Sequence, residues 1–225
     1  MLRVHHLENS RSQRILWLLE ELELDYEIVH YARDPDTLLA PPGLRAVHPL
    51  GKSPLVEDDG QVLAESAAIC EVLVERHGAG RLRPPLGSPE WARYLYWMHF
   101  AEGSAMPPLL MKLVFDRIGS APAPFFLKPV LRGVADKVRA RLITPQLAAQ
   151  RSYLEGELAA RTWFAGEAFS AADIMMSFPL EAMAARFGFG AEQPHLAAFL
   201  QRIHARPAYR RALERGGPFS IPGAD

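Results

Sequence analysis

Residues 6–22 have the sequence HLENSRSQRILWLLEEL, in which a short polar stretch separates a strand pattern from a helix pattern. The strand pattern covers Leu2–Leu7 and ends at that stretch. Within residues 15–22, leucines and an isoleucine recur at helical spacing with glutamates on the other faces, which predicts an amphipathic helix. Ser12 is a candidate N-cap for it. A strand that leads directly into a helix indicates the first half of a β-α-β unit.

Four further segments extend this unit toward residue 77. Tyr26–Tyr31 carries β-forming residues and predicts a second strand. Residues 33–52 are rich in Pro and Gly and predict a long loop with room for one short helix. Residues 54–57 and Gln61–Ala64 flank an Asp-Asp-Gly turn, which predicts a hairpin, and a helix pattern follows it. The order predicts helices packed on a small mixed sheet.

The rest of the chain predicts helices alone. Ser88-Pro89-Glu90 combines an N-cap, a proline at the first helical position and an early acid, which together mark a helix start. The helix that follows should end or kink at Pro107-Pro108. Apolar spacing predicts further helices marked by Val130, Val134, Val138 and Leu142, by Leu147, Leu154 and Leu158, and by residues 196–203, with a short helix after Pro207. We therefore expect domains at 1–79 and 89–225, joined by a linker at 80–88.

One helix start is specified in detail by the sequence FSAADI at residues 169–174. Ser170 at the N-cap and Asp173 at N3 form a capping-box pattern, and Phe169 with Ile174 forms a hydrophobic staple. The following segment is almost entirely apolar, so it should be the buried centre of the helical domain. We therefore predict structural roles for Ser170 and Asp173.

Composition excludes several classes of function. The chain has 225 residues, a formal net charge of −1 and 49% hydrophobic residues, which is typical of a globular protein and gives no basic surface for nucleic acid. No apolar run approaches the length of a membrane span, and no secretory leader pattern precedes the first strand, so we expect a cytoplasmic protein. The eight histidines lack metal-ligand spacing, and we expect no metal.

Several kinds of reactive centre lack their sequence patterns. There is no GxSxG elbow, no CxxC pair and no glycine-rich phosphate loop. The one cysteine, Cys70, lies on the apolar side of a predicted helix, so it should be buried and inert. Chemistry by a sulfur atom of this chain is therefore disfavoured.

The first strand–helix junction keeps hydroxyl groups where a redox protein would carry sulfur. A hydroxyl beside a helix N-terminus can stabilise an anion, including the thiolate of an external thiol. Capping is the alternative role for both serines. We favour capping for Ser12 and the functional role for Ser10.

Two other segments end on the same side of the predicted sheet. Gly51-Lys52-Ser53-Pro54 enters the hairpin, where a cis proline would hold the Ser53 backbone open to a peptide-like ligand and a trans proline would only start an edge strand. Glu65-Ser66 opens a helix, where Ser66 can seat an anion and Glu65 can pair with an ammonium group. Simple capping by Ser66 is equally compatible with the sequence.

These segments together, with HPLGKSP at 48–54 and LAES at 63–66, resemble the cytosolic glutathione transferases, most of all their serine-type bacterial and fungal branch. The capping box of the helical half is also similar to that of the family. The resemblance implies a thioredoxin-like domain that binds glutathione and an all-helical domain that binds an electrophile. It also implies a homodimer with a role in detoxification.

The resemblance implies a role for each segment. Ser10 would activate the glutathione thiol, with Asn9 or Ser12 as the alternatives. The remaining glutathione contacts would be Lys52 at the glycyl carboxylate, Ser53 and a cis Pro54 at the cysteinyl unit, and Glu65 with Ser66 at the γ-glutamyl end.

The helical domain would line the electrophile pocket, with Met98, His99, Met106 and Phe115 as candidates. Glu102 is the candidate for a contact to the γ-glutamyl amine of a partner subunit, and a solvated helix face is its alternative. The implied reaction is attack of glutathione on a small hydrophobic electrophile. Glutathione-dependent peroxide reduction and a non-catalytic interaction protein that keeps the fold are the alternatives.

Overall fold

The computed structural model describes residues 1–35, 37 and 39–221. A four-stranded sheet with helices is followed by a larger helical part. This confirms the predicted fold class, a thioredoxin-like N-terminal part and an all-helical C-terminal part. The domain limits at 1–79, 80–88 and 89–225 stay a prediction, and residues 222–225 lie outside the described residues.

The sheet is mixed, as the order of the predicted elements requires. Its strands are β1 (Leu2–Leu7), β2 (Tyr26–Tyr31), β3 (Leu55–Asp58) and β4 (Gln61–Ala64), in the spatial order β2-β1-β3-β4. β1 runs parallel to β2 and antiparallel to β3, and β3 pairs antiparallel with β4. The end of β1 is therefore central in the sheet, next to the start of β3.

Three helices accompany the sheet: α1 (Ser12–Leu22), α2 (Gly43–Val47) and α3 (Ser66–His77). The short α2 lies in the predicted loop, of which residues 36 and 38 are outside the described part. α3 begins directly after β4, which runs in the same direction as β1. The first residues of α3 therefore lie at the same edge of the sheet as the end of β1.

The helical part contains seven α-helices within the described residues and two π-helical turns. They are α4 (Pro89–Phe100), a π-turn (Ala101–Ala105), α5 (Met106–Ser120), α6 (Lys128–Val138), a second π-turn (Arg139–Ile143), α7 (Thr144–Ala160), α8 (Ala171–Phe187), α9 (Pro194–Ala205) and α10 (Pro207–Gly216). The start at Pro89 after Ser88 agrees with the prediction.

The helix does not end at Pro107-Pro108, and the alternative, a kink at these prolines, stays a prediction. α4 continues through the first π-turn into α5 without a break. The wider π-turn, in which the Met106 N–H bonds to the Ala101 carbonyl, accommodates residues that lack an N–H. The Ser104 carbonyl, which loses its partner at Pro108, accepts a hydrogen bond from Gln150 Nε2 at 2.7 Å.

The second and third predicted helices also form one continuous run, α6 to α7, through the second π-turn. The apolar residues taken as markers of the buried side are not all buried. Val130 is 59% exposed, Val134 51% and Leu142 54%, so this part of the run carries an apolar face open to solvent.

The amphipathic helix predicted at the start of the chain is present, but its polar side is covered. α1 packs extensively against α10, and Glu20 is buried. Glu20 accepts hydrogen bonds from Arg211 Nε at 2.7 Å, Arg215 Nη1 at 3.0 Å and the Tyr26 hydroxyl at 2.8 Å. Glu20, one of the glutamates that mark the polar side, therefore binds the last helix of the chain, whereas Glu23 is exposed.

The capping box is confirmed at the start of α8. Asp173 accepts hydrogen bonds from the Ser170 N–H and the Phe164 N–H, both at 2.9 Å. Burial raises the pKa of Asp173 to about 7, although these donors act in the opposite direction. Most of α8 is buried, as its apolar sequence predicts. Among the helices of the described residues, none is both long and apolar enough to cross a membrane.

Candidate functional site

The hydroxyl groups of Ser10 and Ser12 lie side by side where β1 leads into α1. Ser10 is 6% exposed and Ser12 is fully buried. The two Oγ atoms are 2.8 Å apart, and the Ser12 N–H donates to Ser10 Oγ at 3.2 Å. Ser12 is therefore not the N-cap that the sequence predicts, because Arg11 holds that position and the Ser12 hydroxyl faces inward.

His6 continues this group of polar atoms into the protein. Its Nδ1 lies 2.8 Å from Ser12 Oγ, and its Nε2 lies next to Gly216 of α10. Burial, and after it the charge of His30, lowers the pKa of His6 to about 4. The sequence patterns marked His6 only as an ordinary strand histidine, because the contact with α10 depends on residues that are far away along the chain.

Asn9, an alternative to Ser10, is occupied by another contact. Its backbone has φ +49°, a left-handed conformation that asparagine tolerates better than most residues. Its Oδ1 accepts a hydrogen bond from the Ser220 N–H at 2.8 Å. This contact commits one end of the carboxamide to the C-terminal segment.

The segment that leads into β3 lies next to β1 and contains backbone groups that a ligand could pair with. The Ser53–Pro54 peptide bond is cis, which confirms the prediction. The Ser53 hydroxyl donates to the His5 carbonyl at 3.0 Å and accepts from the Leu7 N–H at 3.3 Å, so the side chain ties this segment to β1. The Ser53 backbone has no backbone partner among the residues that the structure describes. Lys52 is exposed nearby in the chain.

Glu65 and Ser66 form the N-terminus of α3. Glu65 is exposed and has φ +70° and ψ 122°, a conformation that is rare for any residue with a side chain. Strain of this kind is concentrated at functional sites. Ser66 is buried, and its Oγ accepts a hydrogen bond from Arg14 Nη2 at 3.4 Å, which leaves the hydroxyl proton available to a ligand.

The comparisons with known proteins agree with this geometry. Residues 10–76 match the family model "Glutathione S-transferase, N-terminal domain", and residues 136–207 match "Glutathione S-transferase, C-terminal domain". The chain is 37% identical to Glutathione S-transferase 3 of Schizosaccharomyces pombe over 96% of this chain and 88% of the relative. It is 32% identical to Glutathione S-transferase 1 of Saccharomyces cerevisiae over 96% of this chain and 95% of the relative.

A solved glutathione S-transferase from Actinobacillus pleuropneumoniae superposes with a TM-score of 0.79 and 31% identity over 99% of this chain and 95% of that chain. The chain belongs to the glutathione S-transferase family. Membership in the serine-type branch stays a prediction, because it depends on which residue meets the thiol.

The helical half of this glutathione S-transferase places the four candidate electrophile residues in different environments. Met98 is completely buried and Met106 is 8% exposed, and both belong to the hydrophobic core. Phe115 is half-buried against that core, and His99 is exposed. A ligand could reach Met98 only after neighbouring side chains moved, so Met106 and Phe115 are the better candidates of the four.

Glu102 of the transferase does not lie on a merely solvated helix face. It lies in the first π-turn and accepts hydrogen bonds from Arg11 Nε, at 3.0 Å to each carboxylate oxygen, and from Arg14. Burial acts to raise the pKa of Glu102, but the charges of Arg14 and Arg11 outweigh it and hold the pKa below its usual range. Its contact to a partner subunit stays a prediction.

Arg14 is the site residue that the sequence patterns missed. It is fully buried on α1, four residues after Ser10, and it contacts Ser66, Glu102 and the Met175 carbonyl, the last at 2.8 Å. One guanidinium therefore connects α1, the start of α3 and two elements of the helical half. Its signal was an arginine within a helix whose other residues are largely apolar.

Cys70 of the transferase is buried, as predicted, and burial raises the pKa of its thiol to about 12. The thiolate is the reactive form, so Cys70 is inert at neutral pH. Within the described residues, no three acidic, histidine or cysteine side chains are placed to hold a metal ion.

Proposed function

We propose that this glutathione transferase binds glutathione between β1, the cis-proline segment and the start of α3, and directs its thiolate at a small hydrophobic electrophile. The proposal is based on one observation: Ser10, Ser53 and Ser66 all lie at the same edge of the sheet. Each of the three meets a different part of a bound tripeptide.

The glutathione contacts follow from the chemistry of each group. The Ser53 backbone can pair with the cysteinyl unit, because it has no backbone partner among the described residues. The Ser66 hydroxyl and the N-terminus of α3 can seat the γ-glutamyl carboxylate, and the exposed Glu65 can accept from the ammonium group. Lys52 is exposed and can pair with the glycyl carboxylate.

Ser10 then lies where the cysteinyl sulfur would point. The N-terminus of α1 contributes a favourable potential for an anion, and a hydroxyl can hydrogen-bond to it. The thiolate is the attacking species, so a lower thiol pKa increases its population at neutral pH. Ser10 acts as a hydrogen-bond donor and not as a covalent nucleophile.

The same proposal includes the location, the oligomeric state and the cellular role of the protein. We infer a cytoplasmic homodimer with a role in detoxification. The apolar face that includes Val130, Val134 and Leu142 supports a second copy as a partner, because monomeric proteins rarely expose large contiguous apolar patches. Glu102 would then contact the γ-glutamyl amine in the partner's site.

The test combines calorimetric titration with glutathione and thiol-consumption assays with several electrophiles and an organic hydroperoxide. We expect binding, and turnover with hydrophobic electrophiles. Ser10→Ala should spare binding and lower turnover about ten- to a hundredfold, because a charge-assisted hydrogen bond is worth about 1.5–3 kcal/mol. Asn9→Ala and Ser12→Ala are the matched variants that test the alternatives.

Two results would contradict the proposal. If hydroperoxide is consumed and the electrophiles are not, the protein is a peroxidase. If neither binding nor turnover is found, it is a non-catalytic protein that keeps the fold.

A further inference from the structure

Arg11, the residue that follows Ser10, is held in place at the start of α1. Its Nε donates to both carboxylate oxygens of Glu102 at 3.0 Å. Its guanidinium carbon lies 5.3 Å from the centroid of the Phe178 ring on α8. The Arg11 side chain is nevertheless 35% exposed. These contacts fix one part of the guanidinium and leave the rest of it open to a ligand.

The open part of the Arg11 guanidinium consists of its two terminal nitrogens, Nη1 and Nη2. Neither has a hydrogen-bond partner among the residues that the structure describes. Together they carry four of the five N–H groups of the guanidinium, in a planar arrangement that matches a carboxylate. Glu102 is shared between Arg11 and Arg14, so two guanidiniums and one carboxylate leave a net charge of +1 at this end of α1.

Aromatic side chains lie next to this charge. Phe219, in the segment that follows α10, packs against Phe178 with ring centroids 6.0 Å apart. The next residue, Ser220, donates its N–H to Asn9 Oδ1 at 2.8 Å. Asn9 and Arg11 are the two residues on either side of the proposed thiol-activating serine. The contacts therefore connect both neighbours of that serine through a pair of phenylalanine rings.

We propose that Arg11 selects electrophiles in which an aromatic or conjugated part carries a carboxylate or a similar anionic group. The anionic group pairs with Nη1 and Nη2 of Arg11, and the apolar part lies against Phe219, the more exposed of the two rings. The electrophilic carbon then faces the thiolate at Ser10. Where chloride is the leaving group, the sulfur–carbon bond forms, the carbon–chlorine bond breaks, and chloride departs with the electron pair.

The inference rests on the proposed function and narrows its substrate class. A guanidinium that Glu102 already fixes loses little conformational entropy when it binds a second carboxylate. Two parallel hydrogen bonds from Arg11 also fix the orientation of the electrophile, and attack at one carbon depends on that orientation. A neutral electrophile makes no ion pair with Arg11 and lacks this advantage.

Two electrophiles that differ in charge test the inference on the full chain with glutathione. They are a chlorodinitrobenzoate with its carboxylate opposite the chlorine and the corresponding amide. Each kcat/KM is divided by the uncatalysed rate constant of the same compound at the same pH. We expect the wild type to favour the acid about tenfold, because only the acid forms a charge-assisted pair with the guanidinium.

Three variants show whether Arg11 is the cause of this preference. Arg11→Gln should lower the acid-to-amide ratio about tenfold, mainly through a higher KM for the acid. Arg11→Lys should keep part of the preference, because it keeps the charge and loses the planar pair of donors. Arg210→Gln, at an exposed arginine of α10, is the control and should leave the ratio as in the wild type.

A wild type that does not favour the acid would overturn the inference, and this result needs no variant. Equal losses with both electrophiles in Arg11→Gln would also overturn it, because they would show that Arg11 acts on glutathione or on its thiolate. A preference that survives in Arg11→Gln would show that another residue binds the anionic group. Absence of turnover with both electrophiles would overturn the proposed function as well, whereas turnover of both without preference would overturn this inference alone.

Discussion

The buried guanidinium of Arg14 on α1 is paired with the carboxylate of Glu102, which lies in the first π-turn of the helical half. The Arg14 side chain is 2% exposed and that of Glu102 is 31% exposed. A buried guanidinium is tolerated when it is paired and hydrogen-bonded. The pair therefore links the helix that starts at the thiol site to the helical part that would bind the electrophile.

Glu102→Gln should lower the free energy of unfolding by about 2–3 kcal/mol, because it leaves the Arg14 charge without its counter-charge. The loss is smaller than the roughly 3–5 kcal/mol typical of a fully buried pair, since Glu102 is partly exposed. Urea denaturation measures it. Glu192→Gln, at an exposed glutamate, is the control. Equal stability of the two variants would show that the pair contributes nothing.

Glu65 offers a prediction in which stability and binding change in opposite directions. Glu65→Gly should raise the free energy of unfolding by about 1 kcal/mol, because glycine adopts φ +70° without strain. The gain is smaller than the full strain energy, because glycine also increases the conformational entropy of the unfolded chain. Glutathione affinity should fall about tenfold or more, because the ammonium group loses a charged partner.

Glu65→Gln is the matched variant for this test. It keeps the strained backbone and removes only the charge, so its affinity should fall while its stability stays close to wild type. Calorimetric titration and thermal denaturation give the two quantities. If Glu65→Gly binds glutathione as tightly as wild type, the residue has no part in the glutathione site.

The capping box gives a prediction about stability alone. Ser170→Ala should cost about 0.5–2 kcal/mol of unfolding free energy. Asp173→Ala should cost more, about 2 kcal/mol, because it leaves the buried N–H groups of Ser170 and Phe164 without a partner. The two effects should not add in the double variant, since both residues belong to one network. A folded Asp173→Ala protein without activity per mole would contradict the structural role.

Local patterns predicted those parts of the site that neighbouring residues in the chain determine. The Ser10 junction, the cis Pro54 and the Ser170–Asp173 box each depend on a few adjacent residues or on the family resemblance, and the structure confirms the junction between β1 and α1, the cis bond and the box. Glu20 and Arg14 differ, because distant elements bury them.

A helical pattern on α1 indicates which side is polar but not what covers that side. Glu20 is buried because Arg211 and Arg215, almost two hundred residues later, neutralise it. The helix continues past the prolines at 107 and 108 for a related reason. The carbonyl that loses its partner is satisfied by Gln150 on another helix, and no local rule contains that contact.

The last prediction concerns acid stability and uses His6 in the free protein. The folded pKa is about 4, below the ordinary value of 6.5, because burial disfavours the charged ring. Between these two pH values the unfolded chain binds more protons at this residue than the folded chain does. The free energy of unfolding should therefore decrease as the pH falls from about 6.5 to about 4, and this one residue should account for up to about 3 kcal/mol.

His6→Asn separates this effect from the titration of carboxylates, which is common to both proteins. The wild type minus variant difference in unfolding free energy should be largest near neutral pH and should shrink steadily through that window, because asparagine binds no proton. Urea denaturation at a series of pH values measures it, and His99→Asn gives the effect of removing an exposed imidazole. A wild type minus His6→Asn difference that stays constant with pH would show that His6 titrates alike in the folded and unfolded chains.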